Sequence, residues 1–447
     1  MIWIQLIILL TAILVGSRMK GIGLGVMGMA GLLIFIVFFH MRPADPPLDV
    51  MLIILAIVTT AATLQAAGGL DWLVGVAEKI IRRQPSRIIF IGPLVVYFLS
   101  LFAGTSHIVY SMLPIISEVS VKKRIRPERP LSISVVASHI ALTGSPMSAA
   151  TAAMAALMAY PGAAVDIMKI CIPSCIVGVL AGALSVLKMG RDLEKDPVFL
   201  DRMKDPVFAA SIDATAEQKG RVTKKGAKTA VLLFGLTIGC IVIAGAFPSL
   251  IPVVAKGPAA FGVNANGMLT MGTVIEIVTL TCAGIIMLVT GTTPADVAGA
   301  SLFTSMAAAV VSVFGVVWMS STFIHHNQSI LQDALGDLAR AQPWTFAFAI
   351  FVMGAFMFSQ AATTRTMMPL GIALGIYHPW LIAMFPAVNS DFVLPGYPTL
   401  LAAINIDRTG STKIGRYVLN HSFIRPGLVA VSVAIATGFL LAAFVLK

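Results

Sequence analysis

Apolar residues run along this chain in long blocks, broken by short polar clusters. Apolar runs of about 18 or more residues mark membrane-spanning helices. The pattern predicts ten of them, at 2–17, 21–40, 48–68, 131–160, 166–188, 229–253, 267–290, 300–323, 380–405 and 426–446. Two further apolar stretches, 88–121 and 344–377, are too long for one helix, and each carries a polar break in its middle. Each arm of about 15 residues reaches roughly 22 Å at 1.5 Å per residue. That is short for a hydrocarbon core of ~30 Å, so each stretch is expected to be a re-entrant helical hairpin.

Composition agrees with this reading. Of the 447 residues, 58% are hydrophobic and 11% charged, against about 25% charged in soluble domains. The expected class is an all-α polytopic membrane protein. The net charge of +11 would suit nucleic acid only as a patch on a soluble domain. Here the basic residues sit in short loops between apolar runs, as a topology signal does, and no nucleic-acid partner is expected. "SRMK", "EKIIRRQPSR", "VKKRIRPERP", the loop 189–228 and "IDRTGSTKIGR" fall on one side. The positive-inside rule makes that side cytoplasmic and both termini external. "GTTPADVAG" lies on the same side without a basic residue. Cys171, Cys175, Cys240 and Cys282 lie inside apolar runs and read as small buried residues. The N-terminal run has its positive charges after it, so it reads as a retained first span.

The two hairpins resemble one another. "GTSHIVYSMLP" ends at Pro114 and "SQAATTRTMMP" at Pro369, each a polar tip followed by an apolar arm. Each precedes an interrupted span, broken at Thr143–Pro146 in "LTGSP" and at Asn389–Pro398 in "NSDFVLPGYP". One hairpin opens from each side. That is the pattern of inverted repeats whose discontinuous helices meet at the midplane. The expected division is 1–188 for the first repeat, 189–228 for a cytoplasmic linker loop and 229–447 for the second repeat. Broken helices aim orphan N–H groups and the positive dipole end at the break, which suits an anion. The substrate class read from the residues is therefore a small carboxylate, with no cofactor, no metal and no enzyme chemistry.

The motifs "GTSHIVYSMLPII", "RIRPERP", "GSPMS", "SQAA" and "LPGYP…DRTGSTKIGRYVLNHSF" resemble the bacterial anaerobic C4-dicarboxylate transporter family (Dcu type). The resemblance runs over nearly the whole chain. It implies exchange or uptake of fumarate, succinate, malate or aspartate across the inner membrane, within a wider ion-transporter grouping that has inverted repeats, is often homodimeric and moves by an elevator mechanism. The chain departs from the family pattern at His139, Glu276, Arg365, Asn389, Ser390 and Asp391. Arg365 and Asp391 add charges of opposite sign.

The candidate substrate-binding residues are Thr105, Ser106 and His107 at the first tip and Thr143, Gly144 and Ser145 at the first break. In the second half they are Ser359, Gln360, Thr364 and Arg365 on the second hairpin, and Asn389, Ser390 and Asp391 at the second break. Capping alone would also account for the tip hydroxyls, and packing for His107 and His139. Arg365 stands about 7–8 Å past the tip along its arm. It either clamps a substrate carboxylate through its guanidinium fork, pairs with Asp391, or snorkels outward. Asp391 and Glu276 are candidates for cation coupling, Glu276 also for a neutral interface role. Arg129 reads as an inner-surface anchor. Two patterns mislead. "GLGVMG" matches a dinucleotide fingerprint but lies inside a span, where glycines serve close helix packing. His325 and His326, with Asp333 and Asp337 beyond, lack zinc-ligand spacing.

Overall fold

The computed structural model describes residues 1–446 except 20–21, 159, 161, 214–223, 255–261, 264–266, 304–309, 312, 328, 331–341, 343, 358, 395–396 and 416–418. The chain is predominantly helical. Among the described residues the only β structure is three isolated bridges, two near 253–269 and one joining Ile414 to His421.

The helices are α1 (Ile2–Met19), α2 (Gly23–Phe39), α3 (Leu48–Ala66), α4 (Gly69–Arg83), α5 (Ile88–Ala103), α6 (Val109–Lys122), α7 (Glu128–Ile140), α8 (Ala149–Met158) and α9 (Ala163–Val186). The second half holds α10 (Ala227–Ala246), α11 (Met271–Thr290), α12 (Trp318–His326), α13 (Trp344–Met357), α14 (Gln360–Ala373), α15 (His378–Met384), α16 (Pro398–Ile406) and α17 (Ile424–Val445). Shorter helical pieces occupy Pro197–Arg202, Pro206–Asp213 and Pro294–Ala298. The same order therefore occurs twice: a helical hairpin (α5–α6, α13–α14), then an interrupted helix (α7–α8, α15–α16), then one long apolar helix (α9, α17).

Among the described residues, five helices are long and apolar enough to cross a membrane: Pro85–Ala103, Ala163–Val186, Ala227–Ala244, Gly272–Thr290 and Ile424–Val445. A large cluster of buried apolar residues forms where α4, α5, α6, α7, α9, α16 and α17 meet. Every residue of α7 is buried, which is why its sequence lacks a polar face. Small residues let the long helices touch. A Cβ on Gly178 of α9 would collide with the Ala430 carbonyl of α17. The glycines of "GLGVMG" do the same work: a Cβ on Gly28 would meet the backbone of Gly315.

Three expectations need correction. Residues 78–83, read as part of the basic loop "EKIIRRQPSR", belong to α4, which leaves α3 at 69°. The bend follows Gly68 at φ 81, and α4 buries Val74, Ala77 and Ile81 on one face. The first hairpin arm, with its leading turn, is 19 residues long, roughly 28 Å at 1.5 Å per residue, so length alone does not stop it from crossing. The run at 229–253 is α-helical only to Ala246, with a single 3₁₀ turn at Pro248–Leu250 beyond it. Parts of the span expected at 300–323, of the linker 189–228, and both Asp333 and Asp337 lie outside the described residues.

On the face bearing the basic loops, Arg126 bonds Glu128 at 2.6 Å and Asp196 at 2.6 Å. Arg129 bonds Asp192 at 2.7 Å and the Met189 carbonyl at 2.8 Å. Ser422 donates to Glu128 at 2.6 Å. Asp407 gathers Thr409, Ser411 and Thr412 around its carboxylate. Arg129 is thus a tether that holds the start of the linker against α7. Burial opposes charge on both Asp196 and Arg126 but does not prevail. The Arg126 hydrogen bond holds the Asp196 carboxyl below its usual range, and Glu128, more than Asp196, holds the Arg126 guanidinium above its own.

Candidate functional site

The first hairpin turns on two residues. Gly104 closes α5 in the left-handed region at φ 68, a conformation that side chains resist. A Cβ there would strike the Met147 carbonyl of the first break. Thr105 then accepts a hydrogen bond from the His107 N–H at 3.2 Å. The second hairpin restarts at Ser359, whose Oγ accepts from the Ala362 N–H at 3.2 Å.

The breaks are held by side chains that replace lost helical bonds. After α7 comes a single 3₁₀ turn, Ala141–Thr143. Ser145 donates to the Leu101 carbonyl at 2.5 Å, fastening the break to the hairpin. Ser148 donates to the Leu142 carbonyl at 2.5 Å and accepts from the Thr151 N–H at 3.0 Å. In the second half a 3₁₀ turn, Phe385–Val388, follows α15, and Asn389 Nδ2 donates to the Pro386 carbonyl at 2.9 Å.

The two tips and the two breaks meet. A cavity of about 220 Å³ is lined by Gly104, Thr105, Ser106 and His107, by Leu142 and Ser148–Ala150, by Ser359–Ala361, and by Tyr397, with Val58 and Leu302 closing it. At ~30 Å³ per water, that is room for about seven waters. A larger surface cavity, at Arg129 and Lys188–Lys195, lies on the basic-loop face, away from the tips and breaks.

The sequence-selected residues divide accordingly. Thr105, Ser106, His107, Ser359 and Gln360 line the cavity. Thr143, Gly144 and Ser145 do not. Thr143 caps the Ile140 carbonyl, Gly144 packs on Ile172, and Ser145 holds the hairpin. Thr364 donates to the Gln360 carbonyl at 2.7 Å and stabilises the helix start. Asn389, Ser390 and Asp391 are buried behind the cavity wall. Glu276 lies half-buried on α11, which packs on α3 and α10, and is not among the lining residues.

Asp391 has partners, and Arg365 is not one of them. His139 Nδ1 lies 2.9 Å from Asp391 Oδ1, and Gln360 Nε2 donates to Asp391 Oδ2 at 2.8 Å. His139 Nε2 lies 2.8 Å from the Thr399 hydroxyl, and the His139 ring meets Tyr397 edge-on. Ser106 in turn hydrogen-bonds the Tyr397 hydroxyl. A polar chain thus runs from Thr399 through His139 and Asp391 to Gln360 at the cavity. Arg365 is 2% exposed, and its Nε and Nη2 have no hydrogen-bond partner. The Arg365–Asp391 pair and the outward snorkel are both absent.

Sequence reasoning missed Tyr397 and Ser148, and it read His139 as packing. Tyr397 sits inside the "GYP" of the second break and Ser148 inside "GSPMS", so both motifs carried the signal.

Residues 1–446 match the family described as anaerobic C4-dicarboxylate membrane transporter. The chain is 36% identical over 447 residues to the anaerobic C4-dicarboxylate transporter DcuB of Escherichia coli O157:H7, covering 98% of each protein. It is 37% identical to the C4-dicarboxylate transporter DcuA of Wolinella succinogenes and 35% identical to DcuA of Escherichia coli K12, covering all of each chain. Among solved structures it resembles the YdaH transporter of Alcanivorax borkumensis, with a TM-score of 0.50 and 16% identity, covering 99% of this chain and 97% of that one. That likeness bears on the fold alone.

Proposed function

The chain belongs to the anaerobic C4-dicarboxylate membrane transporter family, and from that premise we propose that it is a secondary transporter of C4-dicarboxylates in the bacterial inner membrane. It exchanges fumarate, succinate, malate or aspartate by antiport, with elevator-type alternating access. The arrangement we favour has ten spans and two hairpins, re-entrant in spite of the 19-residue first arm, in two inverted repeats, both termini outside, working as a homodimer.

One observation carries this reading: both hairpin tips and both helix breaks line a single cavity of about 220 Å³. Tips and breaks are where backbone N–H groups lack helical partners, and the hydroxyls of Thr105 and Ser359 are added there. One carboxylate is held at each tip. Arg365 lies on the helix face of Ala361, one turn deeper, and Ala361 lines the cavity. Helical side chains lean toward the N-terminus, the direction of the cavity, although Arg365 itself is not among the lining residues. Its unpartnered Nε and Nη2 suit a carboxylate fork. An empty carrier with that cation uncompensated reorients poorly, which enforces exchange.

The alternative is Na⁺- or H⁺-coupled uptake of a dicarboxylate or acidic amino acid. The buried His139–Asp391 pair favours Asp391 over Glu276 for that role. Reconstituted protein loaded with unlabelled succinate, with no ion gradient, tests both. Antiport predicts saturable entry of labelled succinate by counterflow. Uptake that needs an imposed Na⁺ or H⁺ gradient and shows no counterflow would sink the exchange reading.

A further inference from the structure

We propose that Gln360 reads the substituent at C2 of the substrate, and that the chain Thr399–His139–Asp391 fixes which end of its amide does so. This rests on the dicarboxylate reading above and refines it.

The direction of the hydrogen bonds decides the matter. Gln360 turns its amide N–H to Asp391 Oδ2 at 2.8 Å, the Asp391 oxygen accepting. Asp391 cannot turn away to take another donor, because His139 Nδ1 holds its other oxygen at 2.9 Å. His139 cannot turn either. Its Nε2 is tied to Thr399 at 2.8 Å, and its ring is wedged against Tyr397, with centroids 4.7 Å apart. Both His139 and Asp391 have no solvent exposure. With one Nε2 hydrogen committed, Gln360 keeps a second N–H, and Oε1 is the one acceptor its side chain can offer the cavity it lines.

Two neighbouring polar groups are of the opposite kind. Thr105 Oγ1 already accepts from the His107 N–H, and Ser359 Oγ accepts from the Ala362 N–H. Each hydroxyl hydrogen is thereby left to donate to an anion. A carboxylate satisfies Thr105 and Ser359 but gives Oε1 of Gln360 nothing. A hydroxyl or ammonium at C2 donates to it. Succinate and fumarate present only C–H there and leave a desolvated carbonyl without a partner, which costs affinity. The Asp391 carboxylate behind Gln360 adds a negative field that favours the ammonium over the hydroxyl. The site therefore prefers 2-amino and 2-hydroxy C4-dicarboxylates to unsubstituted ones by about tenfold or more.

The test is counterflow of labelled succinate by the full chain in proteoliposomes, with succinate, L-malate and L-aspartate as competitors. The quantity read is the ratio of inhibition constants within each protein, which a general loss of activity does not move. The wild-type ratios of succinate to malate and of succinate to aspartate are expected at about ten or above, aspartate's the larger. Gln360→Met removes the acceptor and brings both ratios to within about twofold of one. Asp391→Asn is the second, conservative variant. Its amide hydrogen draws Oε1 of Gln360 inward and presents the N–H₂ to the cavity, so the ratios fall there too. Wild-type ratios near one, or unchanged ratios in folded Gln360→Met, overturn the inference while leaving dicarboxylate transport standing. If none of the three acids supports counterflow or binding, the dicarboxylate reading falls, and this inference with it.

Discussion

His139 and Asp391 stand 252 positions apart in the chain, and their side chains meet at 2.9 Å with no solvent exposure on either. One comes from the helix before the first break, the other from the second break. The two halves of the protein are therefore joined by a polar contact directly behind the cavity wall. A buried polar pair is costly to leave half-made, so this contact fixes how the two breaks register against each other.

Removing one partner should expose that cost. His139→Ala leaves the Asp391 carboxylate with Gln360 as its one remaining donor, at an expected loss of about 3–5 kcal/mol. Thermal unfolding of the detergent-solubilised protein measures it. His139→Gln keeps an N–H within reach and should recover more than half of the loss. Equal melting temperatures for His139→Ala and wild type would mean that the pair contributes nothing.

The first tip depends on a glycine for two separate reasons. Gly104 sits at φ 68, and a Cβ there runs into the Met147 carbonyl. Gly104→Ala must therefore strain the turn and push the tip away from the break. Transport should fall by at least tenfold while the protein still folds and inserts, since only the tip is displaced. Uptake within twofold of wild type would show that the tip's contact with the break is dispensable.

Much of this was legible in the sequence, for physical reasons that differ by element. Hairpins and breaks were visible because membrane depth forbids polar clusters unless they have a function, so "GTSH", "SQAATT", "GSP" and "NSD" stood out from their surroundings. The amphipathic α4 was not, because its basic residues matched a loop as well as a helix. Within the site, the residues selected at the tips line the cavity, and those selected at the two breaks do not. Thr143 and Ser145 are spent on carbonyls of the chain itself. That distinction depends on where each hydroxyl points, and spacing does not encode it. Nor could spacing choose Asp391's partner among Arg365 and Gln360 on α14 and His139 on α7.

Acid should release the linker from the basic-loop face. Asp196 has its carboxyl held below its ordinary value, burial opposing and the Arg126 hydrogen bond prevailing. A lowered folded value means that the stabilisation is fully present above the unfolded value of about 3.9. It is lost as pH falls through the folded value. Limited proteolysis within 189–213 should therefore be unchanged from neutral pH to about pH 5 and should accelerate below about pH 4. Asp196→Asn should show the faster cleavage at neutral pH, with a flatter pH profile. Acceleration that begins near pH 6 in both proteins would point to a different group.

Arg365 permits a test in which stability and function move in opposite directions. Its side chain is buried at 2% exposure, and two of its nitrogens lack partners. A cation at membrane depth costs ~2.5–3.5 kcal/mol on insertion scales, and among the described residues no carboxylate bonds Arg365. If the substrate is the missing partner, the empty protein carries that cost and the loaded protein does not. Arg365→Met, similar in length and uncharged, should then leave the ligand-free protein at least as stable as wild type, by about 1–3 kcal/mol. The same change should weaken binding of succinate or aspartate by a hundredfold or more, and the thermal stabilisation that ligand gives wild type should vanish. Arg365→Lys keeps the charge but not the fork, so it should bind weakly yet measurably. A variant that loses stability and keeps its ligand response would make Arg365 a structural residue. One that changes neither would remove it from the site altogether.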